Sequence, residues 1–250
     1  MSARLACALA SIAAAGSVQE PTQLFEQGVA AYRAGDFASA RGLWVDALES
    51  DPTQTVDRGD LLYDLGNAAW RLERPFEAIA WYTACVRIAP RHTDAWVNLE
   101  FARGSVELEP ADRGDLEATA RRLVSSLDLA ESEWLAIASG VLLLVALGFH
   151  ATLGGRPLRR LVWGTALLTG LCLAPWIYNL RRAARDDVMV IAPDGVRALS
   201  EPREGATMLA RLHPGDELAR IDALPGWVRL ELEGGTPAWV PSESIFLLRR

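Results

Sequence analysis

Residues 134–155 read WLAIASGVLLLVALGFHATLGG and residues 161–180 read LVWGTALLTGLCLAPWIYNL, runs of 22 and 20 residues without a charged side chain. At about 1.5 Å of rise per residue, roughly 20 residues cross a ~30 Å hydrocarbon core. Inside lipid every backbone N–H and C=O must pair within its own segment, so both runs read as membrane-spanning helices. Only Arg156-Pro157-Leu158-Arg159-Arg160 separates them. The two form an antiparallel hairpin, and whatever precedes it shares one side of the bilayer with whatever follows. Trp134, Trp163, Trp176 and Tyr178 fall near the span ends, where amphipathic rings favour the interface. Pro175 predicts a kink, and the small pairs Ala136/Gly140 and Thr165/Thr169 allow close helix contact.

Composition narrows what the flanks can do. The chain has 250 residues and a formal charge of −7, and all 25 of its basic residues are Arg. Without Lys there is no Schiff-base chemistry. Residues 17–133 hold 11 Arg against 21 Asp plus Glu, a net of −10 that repels phosphate backbones, so nucleic acid is not an expected partner. Cys7, Cys85 and Cys172 show no metal or disulfide spacing, and His92, His150 and His213 lie in three unlike segments. No nucleophile, base and metal set converges, so neither catalysis nor a cofactor is expected. His150 has no acidic residue in either span beside it, which removes the basis for a proton relay.

The first 17 residues, MSARLACALASIAAAGS, read as a signal peptide: Arg4, an apolar stretch from Leu5, and Ala13-x-Ala15 at the cleavage position. An uncleaved Ala-rich helix is the alternative. The choice sets the topology, because Arg156, Arg159 and Arg160 at one end of the second span are balanced by Arg181, Arg182 and Arg185 at the other. With a signal peptide, both soluble flanks are extracytoplasmic; without one, both face the cytoplasm.

Residues 21–105 repeat. Leu24-Phe25, Gly28, Tyr32, Gly35-Asp36-Phe37, Ala40, Trp44, Ala47-Leu48 and Pro52 recur as Leu62-Tyr63, Gly66, Trp70, Pro75, Ala78, Tyr82, Cys85-Val86 and Pro90. A third unit starts at Thr93 and stops after one helix. Gly28 and Gly66 are expected to face Ala40 and Ala78 where paired helices approach closely. Phe37, Trp44, Phe76 and Tyr82 fill the space between pairs, Asp36 and Pro75 open the second helices, and Pro52 and Pro90 end them. The pattern resembles the tetratricopeptide repeat, an all-α solenoid with a period of about 34 residues. Two repeats plus a capping helix are therefore expected over 21–105, then a linker over 106–133. The linker's amphipathic stretch 115–127 either extends the cap or lies on the membrane.

The resemblance implies a concave face lined by the first helix of each pair. Matched repeat by repeat, it carries Phe25, Val29, Tyr32 and Arg33, then Tyr63, Asn67, Trp70 and Arg71, then Asp94, Val97 and Phe101. Aromatics beside Arg and Asn suit an extended peptide or a partner's helix. Alternatively, some of them pack against the neighbouring repeat. The carboxylate clamp of some such repeats is not expected: Asn67 fits, but there is no Lys, and Asp64 stands where a second Asn is needed.

After Asp187 the pattern changes to short β-rich runs separated by Pro193-Asp194-Gly195, His213-Pro214-Gly215-Asp216, Pro225-Gly226 and Glu233-Gly234-Gly235. Gly226-Trp227-Val228 followed by Ala238-Trp239-Val240 resembles the bacterial SH3-like domain, which implies a small all-β barrel over 187–250. Ala198-Leu199 departs from that family's usual residues, so its strand is free to pair differently. Trp227 and Trp239 either form a ligand groove or pack in the barrel.

The whole order of signal segment, tetratricopeptide array, two-helix transmembrane hairpin and SH3-like barrel, with Trp96-Val97-Asn98-Leu99-Glu100 at the array's end, resembles BatE-type proteins of the aerotolerance operons. That resemblance implies a multidomain, non-catalytic scaffold of the bacterial inner membrane with a role in stress or oxygen tolerance. It implies von Willebrand factor A-domain membrane proteins as partners and, through them, a MoxR-type AAA+ ATPase. The alternative is a sensor or tether that binds peptidoglycan through the SH3-like domain.

Overall fold

The computed structural model describes residues 20–51, 55–111, 124 and 127–248. The signal segment 1–17, Pro52 and nearly all of the amphipathic stretch 115–127 lie outside the described residues.

Five helices come first: α1 (Pro21–Arg33), α2 (Phe37–Ser50), α3 (Arg58–Arg71), α4 (Pro75–Ile88) and α5 (Thr93–Ser105). Their ends follow local chemistry. Asp36 accepts from the Ser39 amide and Asp57 from the Asp60 amide, both at 3.0 Å, and Pro75 opens α4, where its missing N–H costs nothing. His92 Nδ1 accepts from the Ala95 amide at 3.1 Å and so caps α5. Gly35 takes φ 84° between α1 and α2; the equivalent place between α3 and α4 holds Glu73 at φ 58°.

The small-residue seam is real but differs in its partner. A Cβ on Gly28 would stand 2.4 Å from the Trp44 ring, and one on Gly66 would stand 2.4 Å from Tyr82. The glycines thus face these rings rather than Ala40 and Ala78, which are themselves fully buried. The reason is directional. Helical side chains lean toward their own N-terminus, so Trp44 and Tyr82 cover the level one turn before them.

Two apolar helices follow, α6 (Leu129–Leu153) and α7 (Arg156–Ala184), each long and apolar enough to cross a membrane. The link between them is Gly154-Gly155 alone, both with positive φ; the expected five-residue loop is instead the first turn of α7. Pro157 causes no break there because the first turn needs no N–H. Pro175 lies within α7 without ending it. Ser132, Ser139 and Ala146, seven residues apart on α6, are buried, as are Thr165 and Asn179 on α7. Thr169 Oγ1 donates to the Ser139 carbonyl at 3.1 Å, and Asn179 Nδ2 to the Leu127 carbonyl at 3.0 Å. Thr165 and Thr169 thus serve the contact, whereas Gly140 has no atom of another helix near its Cβ position. Leu144, Trp163 and Leu171 point outward, 65–72% exposed.

The last part is a seven-stranded antiparallel sheet in the order β3-β2-β6-β5-β4-β1-β7. Its strands are β1 (Asp187–Val190), β2 (Val196–Leu199), β3 (Met208–Leu212), β4 (Glu217–Leu224), β5 (Trp227–Glu231), β6 (Pro237–Pro241) and β7 (Ile245–Leu247). The sheet is open: β3 and β7 are its two ends, in place of the expected closed barrel. β2, with a register shift at Ala198/Leu199, pairs with β3 and β6. One face buries Val188, Val190, Leu230, Val240 and Ile245 as the sheet's own core.

The other face of β1 and β7 packs on the helical array. Met189, Phe246 and Leu248 join the same core as Trp81 and Ile79, and the Phe246 ring meets Trp81 edge-on at 4.5 Å between centroids. Arg87 Nη1 holds Asp187 at 2.9 Å while Nη2 reaches Glu217. Burial that a closed barrel must find among its own strands is here supplied by α4. Arg91 adds a two-pronged pair to Glu131, at 3.0 and 2.9 Å. Glu131 closes a capping box with Asp128 at the head of α6. Array, apolar hairpin and sheet therefore meet around the C-terminal end of α4.

Candidate functional site: the inner face of the helical array

The residues expected on the inner face separate into three groups. Phe25, Val29 and Tyr32 on α1 are half-buried against the array's own core. Trp44 Nε1 donates to the Phe25 carbonyl at 3.2 Å, and the Tyr32 ring lies 5.0 Å from Phe37 and 5.7 Å from Trp44. These three build the wall rather than present it. Tyr32's hydroxyl pKa is raised, chiefly by burial.

Tyr63 and Asn67 form a polar ladder between α3 and α5. Asn67 Oδ1 accepts from Tyr82 Oη at 2.8 Å and from Asn98 Nδ2 at 3.0 Å, and Asn98 Nδ2 also donates to Tyr63 Oη at 3.4 Å. The Tyr63 ring lies 4.7 Å from His92. Beside the ladder sits Asp64, whose carboxyl is pushed up to about 6, first by burial and then by neighbouring Asp60. Its contact with Asn67 and the nearby His92 pull the other way. His92 uses Nδ1 for the Ala95 cap, so its Nε2, 3.4 Å from Asp60, is the nitrogen that carries a proton toward that carboxylate.

The third group is open. Arg33 and Asp94 are exposed, Val97 is 61% exposed and Phe101 63%. Phe101 stands edge-on to Trp70 at 5.3 Å, and the Arg71 guanidinium covers the Phe37 ring at 4.6 Å. The face is therefore polarised. Glu26, Asp60, Asp64 and Asp94 lie in the N-terminal halves of the first helices, and Arg33, Trp70, Arg71 and Phe101 lie toward their C-terminal ends. Asp64 and Asn98 were the residues missed as lining. Both occupy one position of the repeat, 34 residues apart, so the alignment carried the signal.

In the sheet, Trp227 and Trp239 are half-buried on one face, since Trp227 pairs with Pro241 and Arg229 with Trp239. The Arg229 guanidinium lies over the Trp239 ring at 5.7 Å. Among the described residues no three His, Cys, Asp or Glu side chains gather as a metal-binding group.

Paired antiparallel helices with a glycine seam and an open, aromatic inner face define a helical-repeat interaction module. Residues 25–93 match the tetratricopeptide repeat family, a non-catalytic protein-interaction fold. No curated protein matches the chain.

Proposed function

We propose that the chain is a membrane-anchored interaction protein whose inner face takes a segment of a protein partner. The observation that carries this is the pairing of Val97 and Phe101, large, apolar and more than 60% exposed, with the ordered Trp70 and the Tyr63–Asn67–Asn98 ladder. Large apolar groups held rigid next to unfilled polar groups are what an interface hot spot needs. The acidic half of the face adds a preference for a partner segment with basic residues at one end and an apolar or aromatic residue at the other.

In this reading α6 and α7 span the bacterial inner membrane, the 1–17 segment exports the chain, and array and sheet work outside the cytoplasm. The likeness to BatE-type scaffolds makes von Willebrand factor A-domain membrane proteins the partners to look for, with a MoxR-type ATPase behind them and stress or oxygen tolerance as the setting. Copurification from detergent should recover such a protein with the native chain and lose it with Val97→Glu plus Phe101→Glu. Equal recovery from both would sink the assignment of the groove. A reporter fused after Arg250 tests the topology; activity on the cytoplasmic side would overturn the exported arrangement.

A second reading rests on Trp227, Arg229 and Trp239 sharing one face of an SH3-like sheet: a peptide or peptidoglycan ligand stacked there. Sedimentation of the detergent-solubilised chain with purified sacculi tests it, and Trp239→Ala should abolish binding. Absence of the native chain from the pellet rejects it.

A further inference from the structure

From Leu180, the end of the apolar run, to Asp187 the chain has four helical residues and then three extended ones. At about 1.5 and ~3.3 Å per residue it rises at most about 16 Å. Strand β4 then turns back along it. Asp187 pairs with Ala219, the Arg220 amide donates to the Asp186 carbonyl at 2.8 Å, and the Arg220 guanidinium binds the Asp186 carboxylate. Past Ala219, β4 continues for five residues to Leu224, about 17 Å at ~3.3 Å per residue, toward the end of α7. The two lengths match, so the β4–β5 turn reaches back as far as the chain has climbed out of α7.

What the hairpin carries there is apolar. Ile221 is 50% and Leu224 47% exposed, Ala223, Pro225 and Gly226 are exposed, and Trp227 is half-buried opposite Leu224. Ile221 sits where the register shifts between Arg220 and Asp222, which leaves it out of the ladder. The one carboxylate in the stretch, Asp222, lies cross-strand from Arg229. The opposite end of β5 differs: Glu231-Leu232-Glu233-Gly234-Gly235 is acidic and polar.

We infer that residues 221–227 form a finger that rests in the membrane interface, with Leu224 and Trp227 among the lipid headgroups. Continuity with α7 selects lipid as the occupant, and a Trp beside apolar residues with Arg185 and Arg220 behind it is the chemistry of that layer. The inference rests on the reading of α6 and α7 as membrane spans. Because sheet and helical array share one core, a second membrane contact beyond α7 fixes the direction in which the array's inner face opens.

The test is spin-label depth measurement on the full chain in nanodiscs of phosphatidylethanolamine and phosphatidylglycerol. The background carries Cys7→Ala and Cys172→Ala; Cys85 is fully buried and its thiol is pushed up to about 12, mainly by burial, so it does not label. Single labels go on Leu144→Cys in mid-α6, Leu224→Cys at the finger and Glu233→Cys at the far turn. The expected result is a ratio of oxygen to nickel-chelate accessibility that is highest at 144, several-fold above the aqueous value at 224, and aqueous at 233. A label at 224 that behaves like 233, with 144 deep, overturns the finger and leaves the spans intact. A label at 144 exposed to the nickel chelate rejects the spans and the finger with them.

Discussion

Helix α4 and the inner face of the array come from the same repeat, yet they have opposite fates. On α4 every residue from Glu77 to Val86 is buried. On α5, Val97 and Phe101 stand in the open. The difference teaches which surface the protein spends on itself. The outer side of the second repeat is consumed by the sheet, through Trp81, Phe246, Met189 and the Arg87 pairs, and the inner side stays available. A chain with only two and a half repeats has too little core to stand alone, and the sheet covers the face that further repeats cover in longer arrays.

The comparison breaks most directly at Trp81. The side chain is 1% exposed, edge-on to Phe246, and its indole N–H donates to Glu77 Oε1 at 3.3 Å. Trp81→Ala should cost about 3–5 kcal/mol and loosen sheet and array together, read by chemical unfolding of the detergent-solubilised chain and by proteolysis between them. Unfolding of the array alone, with the sheet unaffected, would contradict a shared core. Next comes Glu77, which holds Arg41 (Nε to Oε1 2.6 Å) and stands 3.4 Å from Arg74. Glu77→Ala leaves Arg41, about one third exposed, with no carboxylate here; discounted for that exposure, a loss of about 2 kcal/mol is expected in the same measurement.

Asp64 sharpens the contrast through pH. Its pKa is raised from 3.8 to about 6, so the native state binds a proton that the unfolded chain has released. Its contribution to stability is therefore undiminished below about pH 4 and falls as pH rises toward 6. Asp64→Asn should be more stable than the native chain above pH 6, with the two melting curves converging on acidification to pH 4. A gap that does not change with pH would refute the origin of the shift in burial beside Asp60.

Glu73 occupies the left-handed turn position that Gly35 fills in the first repeat. Glu73→Gly should raise stability by about 0.5–1 kcal/mol, seen as a higher melting temperature. The smallest effect on stability belongs to the groove. Val97→Ala plus Phe101→Ala should change the unfolding free energy by less than about 0.5 kcal/mol while weakening the partner at least about tenfold. A large loss of stability would move both residues from the open face into the framework.

Much of the fold was legible because it rests on local rules. The glycine seam, the Asp36 cap, Pro75, the turns at Gly195 and Gly215 and the two apolar runs each state their own conformation. The site was legible in outline only. The inner-face positions came from repeat spacing, but spacing cannot tell that Phe25 and Tyr32 are held by Trp44 and Phe37 while Phe101 is not. One signal was present and unused: PFEAIAWYTACVRI is apolar nearly all round, and such a helix is buried on all sides. It marks α4 as needing a second cover, without naming what supplies it.

By itself the amino-acid order determined the helical repeat, the apolar hairpin and a β-rich end, because periodicity, capping and hydropathy act over a few neighbouring residues. Only the tertiary structure decided that the sheet stays open, that α4 and β7 share a core across more than 150 residues of chain, and that Arg87 ties the array to β1 and β4. Those contacts depend on shape and on which buried surface remains uncovered once the local elements have formed. No window of sequence contains both partners.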